Sequence, residues 1–322
     1  MRAVISDHLF PAIDLQKKVL ESAGFELLDV QPGCTNEDEV IDRCSGADVL
    51  LIQWAPVTRR VLDSLPRLRG VVRYGIGVNN IDLDAARELN ISVANVPSYC
   101  IEEVSNHALA MIVSLVRRIP QDHYRIVHGE WGIDPFLPIP AFTDLTLGLI
   151  GFGAIARRVA DKAKAFGFRV AAADPYVRVE VFQDRRVDQA ELEELLAQAD
   201  VISVHCPLVK ETTHLLDRAA IGKMKPGVII VNTSRGPIIN ESHLIEALQS
   251  NRVVGAGLDV FEEEPLPVTS VLRTLPNVLL TSHAASVSTR AVESLQIKAA
   301  ESARDILLGV RPEGALVWPN SN

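Results

Sequence analysis

Three short segments carry side chains suited to chemistry on an organic acid: Asn232-Thr233-Ser234-Arg235-Gly236, Asp259-Val260-Phe261-Glu262-Glu263-Glu264-Pro265 and Ser282-His283-Ala284-Ala285. An arginine offers a planar fork that grips a carboxylate through two parallel hydrogen bonds. A histidine titrates near neutrality, so it can give a proton to an oxygen or take one back. A carboxylate beside the imidazole fixes its orientation and favours its charged form. Arg235, Glu264 and His283 could therefore hold a 2-keto acid and protonate its carbonyl oxygen as it becomes an alcohol. Taken singly, such an arginine is most often a surface ion-pair partner, three glutamates a solvated run and a histidine a structural residue. What raises them is a shared position, each just past the end of a predicted strand.

Such a reduction needs a hydride carrier. Leu147-Gly148-Leu149-Ile150-Gly151-Phe152-Gly153-Ala154-Ile155-Ala156 reads as a strand, a GxGxxA turn and a helix. Gly151 permits the tight turn, Gly153 lets the backbone approach a pyrophosphate, and Ala156 is small where helix meets strand. The helix N-terminus turns free N–H groups and the positive end of its dipole toward the phosphates. Asp174 follows the apolar run Val170–Ala173, 21 residues past Gly153. A carboxylate there accepts hydrogen bonds from the adenosine ribose and repels a 2′-phosphate, which selects NAD over NADP.

The elements that must position these groups alternate along the chain. Ala3–Ile5, Phe25–Val30, Val49–Ile52, Gly70–Arg73 and Ile91–Val96 read as strands, with helical patterns such as Leu15–Ala23 and Leu83–Leu89 between them. A long amphipathic helix is expected over about residues 102–118, then a less regular stretch with Pro120, Pro135, Pro138 and Pro140. A second series follows, with strands expected at Thr146–Ile150, Arg169–Ala173, Val201–His205, Val228–Asn232, Gly255–Asp259 and Val278–Thr281. A helical pattern then runs to about Leu308, before a short tail. Such alternation predicts an α/β protein of two Rossmann-like, doubly wound parallel-sheet domains with a cleft between them. The expected division is residues 1–99 plus 287–322 as a flavodoxin-like substrate-binding domain, and residues 100–286 as the NAD-binding domain. Ligands of open α/β sheets lie beyond the carboxyl ends of the strands, where Arg235, Glu264 and His283 would converge.

Composition narrows the function classes. Apolar residues make up 48% and charged residues 23%, the balance of a chain with a large core. The net charge is −9 and basic residues run no longer than pairs, which argues against a nucleic-acid partner. Ala108–Val116, the most apolar helical stretch, is too short to span a bilayer, and Met1–Phe10 lacks the apolar core of a signal peptide. Cys34, Cys44, Cys100 and Cys206 are scattered without a CxxC pair, so no disulfide framework or metal site is expected and the location expected is cytoplasmic. Cys100 is weighed between a redox switch and a small core residue, and the second reading is preferred.

Over nearly its whole length the sequence resembles the D-isomer-specific 2-hydroxyacid dehydrogenases. The resemblance rests on Arg73-Tyr74-Gly75-Ile76-Gly77-Val78-Asn79-Asn80-Ile81-Asp82, the glycine loop, His205-Cys206-Pro207-Leu208 with Glu211-Thr212-Thr213, and the three segments above. It implies an NAD-dependent enzyme acting on a small D-2-hydroxy or 2-keto acid. Arg235 would bind the substrate carboxylate and carbonyl, His283 would donate or accept the proton, and Glu264 would be its partner. The backbone of Gly75, Ile76 and Gly77 would face the substrate. Cofactor contacts would come from Gly151, Gly153, Ala154, Ile155, Asp174, His205, Cys206, Pro207, Thr212, Thr233, Ser234, Arg235, Asp259, His283 and Ala285. A homodimer through the NAD-binding domains is implied as well. Asn79, Ser282 and Ser286 depart from the usual family residues, and Ser286 touches the expected substrate pocket. Asn95-Val96-Pro97 and Asp174-Pro175-Tyr176 resemble the C-terminal-binding-protein corepressors, so an NAD(H)-sensing binding protein is one alternative. A dehydrogenase acting on a phosphonate-type acid, which Arg235 would also suit, is another.

Overall fold

The computed structural model describes residues 1–132 and 139–319. Pro135 and Pro138 of the proline-rich stretch lie outside the described residues. The chain divides into two compact units, Met1–Cys100 with Val287–Asn322, and Ile101–Ser286.

The first unit begins with β1 (Arg2–Ile5), β2 (Glu26–Asp29), β3 (Val49–Ile52), β4 (Gly70–Arg73) and β5 (Ser92–Ala94). The second holds β6 (Thr146–Ile150), β7 (Arg169–Ala173), β8 (Asp188–Gln189), β9 (Val201–Val204), β10 (Val228–Asn232), β11 (Val253–Leu258) and β12 (Val278–Leu280), and the chain ends in the first unit with β13 (Ala315–Val317). The sheet of the first unit has the order β13-β5-β4-β3-β1-β2, parallel except for β13, which pairs antiparallel with β5. Without β13 this is the 2-1-3-4-5 order of flavodoxin-like sheets. The second sheet runs β12-β11-β10-β9-β6-β7-β8, parallel throughout, the 3-2-1-4-5-6 order of a dinucleotide-binding fold with one further strand.

Burial explains why these residues form these strands. Val49-Leu50-Leu51-Ile52 and Val228-Ile229-Ile230-Val231-Asn232 are buried along their whole length. A central parallel strand covered by helices on both faces has no solvent side, so its apolar residues run on without alternation. In the first unit, Leu20 of the helix Asp14–Ser22 packs with Leu295, Ala299, Ala303 and Ile306 of the helix Thr289–Leu308 over one sheet face. Val40, Val61, Leu62 and Ala85 cover the other face. In the second, the helix Ile101–Val116 buries Val104, Ala108, Met111 and Leu115, spaced by three or four residues as a single helical face requires.

The structure departs from the sequence expectation in three places. β8 and β13 are two and three residues long, too short for an alternation pattern to register. Where an irregular stretch was expected after residue 118, a helix spans Ile119–Val127. Pro120 sits in its first turn, where the missing N–H would have had no acceptor within the helix. Arg118, in the left-handed conformation at φ 55°, separates it from the helix before.

Candidate active site

β10, β11 and β12 are neighbours in the second sheet and run parallel, so the segments that follow them emerge side by side at one edge. The turn after β10 is built by Asn232, which is buried. Its side-chain Oδ1 accepts from the Ser234 N–H at 3.0 Å and its Nδ2 donates to the Arg235 carbonyl at 2.9 Å. The Ser234 hydroxyl donates to the Cys206 carbonyl at 2.6 Å, tying this turn to the end of β9. Arg235 follows, half-buried, with Nη1 donating to the Ser234 carbonyl at 2.6 Å. Gly236 leaves no alternative for the next residue. A Cβ there would lie 1.9 Å from the carbonyl carbon of Phe261, so the turn and the segment after β11 are in backbone contact.

That contact brings Arg235 to the glutamate run. Glu262 pairs with His214 at 2.7 Å and with the Glu241 N–H at 3.3 Å, away from His283. Glu264 turns the other way. Its Oε1 accepts from the Phe261 N–H at 3.0 Å and its Oε2 lies 2.8 Å from His283 Nδ1. Burial raises the pKa of this carboxyl, but the His283 hydrogen bond and charge, the Phe261 N–H and the nearby Arg235 outweigh it. Glu264 is therefore held below the usual carboxylate range. The imidazole is 40% exposed, accessible to a small acid.

His283 has φ 55°, a left-handed conformation uncommon for a residue with a side chain. The adjoining turn is held by Asp259, only 1% exposed. Its carboxylate accepts from the N–H groups of Ala284 at 2.8 Å and Ala285 at 2.9 Å and from the Thr281 hydroxyl at 2.5 Å. Its carbonyl accepts from the His283 N–H at 2.8 Å.

The glycine loop joins β6 to the helix Ala154–Ala165. Gly151, at φ 87°, has the backbone of His205 and Cys206 against it, since a Cβ would lie 2.7 Å from the Cys206 nitrogen. Asp174 at the end of β7 accepts from the Phe152 N–H at 2.8 Å and the Tyr176 N–H at 2.9 Å. His205 follows β9, partly buried, with Nε2 2.9 Å from the Ser203 hydroxyl. Desolvation pushes its pKa down to about 4, so it stands neutral. Thr212 closes the loop that follows, donating to the Pro207 carbonyl at 2.7 Å and accepting from the Val209 N–H at 2.8 Å.

Residues 109–285 match the family described as D-isomer specific 2-hydroxyacid dehydrogenase, NAD binding domain. The chain belongs to the D-isomer-specific 2-hydroxyacid dehydrogenases. It is 37% identical over 305 residues to a D-3-phosphoglycerate dehydrogenase of Methanocaldococcus jannaschii, covering 94% of this chain but only 57% of that protein. The chain thus spans little more than half of that relative. It is 36% identical over 276 residues to a hydroxypyruvate reductase of Blautia hydrogenotrophica, covering 84% of this chain and 85% of the relative. The crystal structure of the TT0316 protein of Thermus thermophilus superposes with a TM-score of 0.86 at 33% identity, covering 98% of this chain and 100% of that one.

For a 2-hydroxyacid dehydrogenase the glycine loop must admit a dinucleotide, and the residues present fit one. A Cβ built on Gly153 meets nothing within 4 Å, so the space is left clear of protein where a phosphate would approach the backbone. Thr233 is buried and its hydroxyl has no hydrogen-bond partner among the described residues, a cost that a ligand atom would relieve. Asp174 accepts one N–H on each oxygen and retains lone pairs for ribose hydroxyls.

Sequence reasoning missed His107 and Thr281. His107 projects from the helix Ile101–Val116 and its Nε2 lies 3.0 Å from Thr281 Oγ1. An isolated histidine in an apolar helix carries no spacing signal, and Thr281, read as the last residue of a strand, has no role assigned by the sequence. In the first unit Gly75, at φ 137°, and Ile76 lie past the end of β4. Their carbonyls accept from the Val96 N–H at 3.0 Å and from Asn95 Nδ2 at 2.6 Å. A further residue missed there is Asp7, 5% exposed, whose carboxylate accepts from the N–H groups of Gln53, Trp54 and Ala55 at 3.1, 2.6 and 3.2 Å. Only contacts distant in sequence, invisible in a period, single it out. Cys100 is buried, 1% exposed, the small core residue preferred above.

Proposed function

We propose that this chain is an NAD-dependent dehydrogenase that interconverts a small 2-keto acid and its D-2-hydroxy acid. The observation that carries the reading is the 2.8 Å pairing of His283 Nδ1 with Glu264, beside Arg235, at the carboxyl edge of the sheet that bears the glycine loop. In the reductive direction Arg235 holds the carboxylate through its planar fork and polarises the adjacent carbonyl. His283 gives its Nε2 proton to the carbonyl oxygen, and Glu264 at Nδ1 stabilises the imidazolium before that transfer. Bound NADH supplies the hydride. Gly151, Gly153, Ala154, Ile155, Asp174, the His205–Pro207 strand end, Thr212, Thr233, Ser234, Asp259 and Ala285 would hold the cofactor. One relative matched over most of both lengths is named a hydroxypyruvate reductase and another a glyoxylate reductase, which makes hydroxypyruvate and glyoxylate the first substrates to try.

The four cysteines are free and buried, which suits a reducing cytoplasmic location. No helix among the described residues is long and apolar enough to cross a membrane. The helix Ile119–Val127 buries none of its residues and leaves Ile119, Tyr124, Ile126 and Val127 between 49% and 59% exposed. An apolar helix face of that kind supports a homodimer through the NAD-binding units. The test is NADH oxidation by the purified chain against a panel of 2-keto acids with hydroxypyruvate and glyoxylate at its head. Turnover lowered by about 10²-fold or more in Arg235→Ala and in His283→Ala is expected. Tight NADH binding without turnover of any keto acid would favour a sensor instead.

A further inference from the structure

Beneath the His283 turn runs a chain of side chains from two distant parts of the sequence. His107 Nε2 lies 3.0 Å from Thr281 Oγ1. Thr281 Oγ1 lies 2.5 Å from Asp259 Oδ1, and Asp259 holds the N–H groups of Ala284 and Ala285. The direction of each hydrogen bond follows from counting protons. A carboxylate only accepts, so Thr281 donates its single hydroxyl proton to Asp259. Thr281 can then only accept from His107, which fixes a proton on Nε2 of that ring, whether the ring is neutral or charged. The imidazole is 25% exposed and reaches no closer than 3.8 Å to the Asp259 carboxylate, so its bond to the threonine is the one that counts.

We propose that His107 is a positioning residue for the proton donor, acting through Thr281 and Asp259. Three donors converge on Asp259, and two of them are the backbone N–H groups just after His283. Thr281 would have other staggered rotamers open to it if nothing held its oxygen. The N–H of His107 pins that oxygen, which keeps the hydroxyl proton aimed at Asp259. Asp259 in turn holds the turn that gives His283 its left-handed backbone and sets Nδ1 at 2.8 Å from Glu264. The placement in the sequence adds meaning. His107 lies seven residues after Cys100 and Thr281 six before Val287, the limits of the first unit, so the bond joins the two segments next to the crossings between units.

This inference rests on His283 as the proton donor, and its test has an arm that does not. In the full chain, amide exchange at Ala284 and Ala285 is read by NMR in His107→Leu, Thr281→Val and His107→Gln. Leu and Val each break the chain of bonds, and exchange at both amides should rise about tenfold. Glutamine offers an N–H at a similar reach and should restore slow exchange. In turnover, His107→Leu should lower kcat about tenfold, and His107→Gln should restore it. The double variant His107→Leu/Thr281→Val should be no worse than the worse single one, because both cut one path. Unchanged exchange at Ala284 and Ala285 in His107→Leu would overturn the proposal, as would additive losses or a failure of glutamine to restore. A rise in exchange spread evenly over the second unit, with a lower melting temperature, would also overturn it, leaving His107 a packing residue. A parent chain that turned over no keto acid would refute the catalytic reading, while the exchange arm would still decide this one.

Discussion

Replacing Gly153 and Gly151 separately by alanine distinguishes a loop that serves the fold from a loop that serves a ligand. At Gly153 the backbone is extended, with φ −73° and ψ −170°, and the added Cβ meets nothing within 4 Å. Alanine loses against glycine as a helix N-cap by roughly 0.5–1 kcal/mol, and reduced freedom of the unfolded chain returns about 0.4–1 kcal/mol. The two nearly cancel, so the melting temperature should stay within about 2 °C. The same methyl group occupies the approach to the pyrophosphate, and NADH affinity should fall about 30-fold to 100-fold, or roughly 2–3 kcal/mol. At Gly151 the balance reverses. Its φ of 87° costs alanine about 1–2 kcal/mol, and its Cβ would sit 2.7 Å from the Cys206 nitrogen, about 0.7 Å inside ordinary contact. With that overlap included, a loss of about 3 kcal/mol is expected, or roughly 6–12 °C in the melting temperature. Calorimetric melts without ligand and titration of each variant with NADH measure both quantities. Normal NADH binding by Gly153→Ala, or an unaltered melting temperature for Gly151→Ala, would refute the reasoning.

Four further outcomes follow from the site. His283→Ala should lower kcat for keto-acid reduction by about 10²-fold or more with little change in NADH affinity, measured by steady-state kinetics beside a binding titration. Glu264→Gln should be milder, lowering kcat less than His283→Ala with little change in NADH affinity, because the imidazole keeps a hydrogen-bond partner at Nδ1 but loses the anion; an unchanged kcat would remove Glu264 from the mechanism. Asp174→Ala should narrow a preference for NADH over NADPH, and equal use of the two by the parent chain would contradict the ribose assignment. His205 is neutral in the fold down to about pH 4, whereas an unfolded histidine takes up a proton below about 6.5. Stability should therefore fall as pH drops through that window and be flat above it; His205→Gln should remove that part of the slope in melts taken against pH.

Much of the candidate site could be nominated from the sequence because its parts obey local rules. A strand, GxGxxA and a helix specify a turn whose geometry is set within ten residues, and Asp174 follows at the end of the next strand. Arg235, Glu264 and His283 could be nominated together because parallel connectivity places strand ends at one edge whatever the loops do. The helix Ile119–Val127 was not legible, since its proline reads as a breaker until the position in the first turn is known. Nor were the edge strands β8 and β13, which depend on partners supplied from elsewhere.

Sequence alone determined the kinds of group present and the sheet edge they share. Only tertiary structure decided which of three adjacent glutamates meets the histidine: Glu262 turns to His214 and the Glu241 N–H, while Glu264 turns to His283. It likewise decided that Gly236 presses Arg235 against the neighbouring segment, and that His107 and Thr281, 174 residues apart, share a hydrogen bond. Periodicity reports which face of an element is apolar. The direction of a polar side chain is set by which donors and acceptors surround it, and those come from segments that only folding brings together.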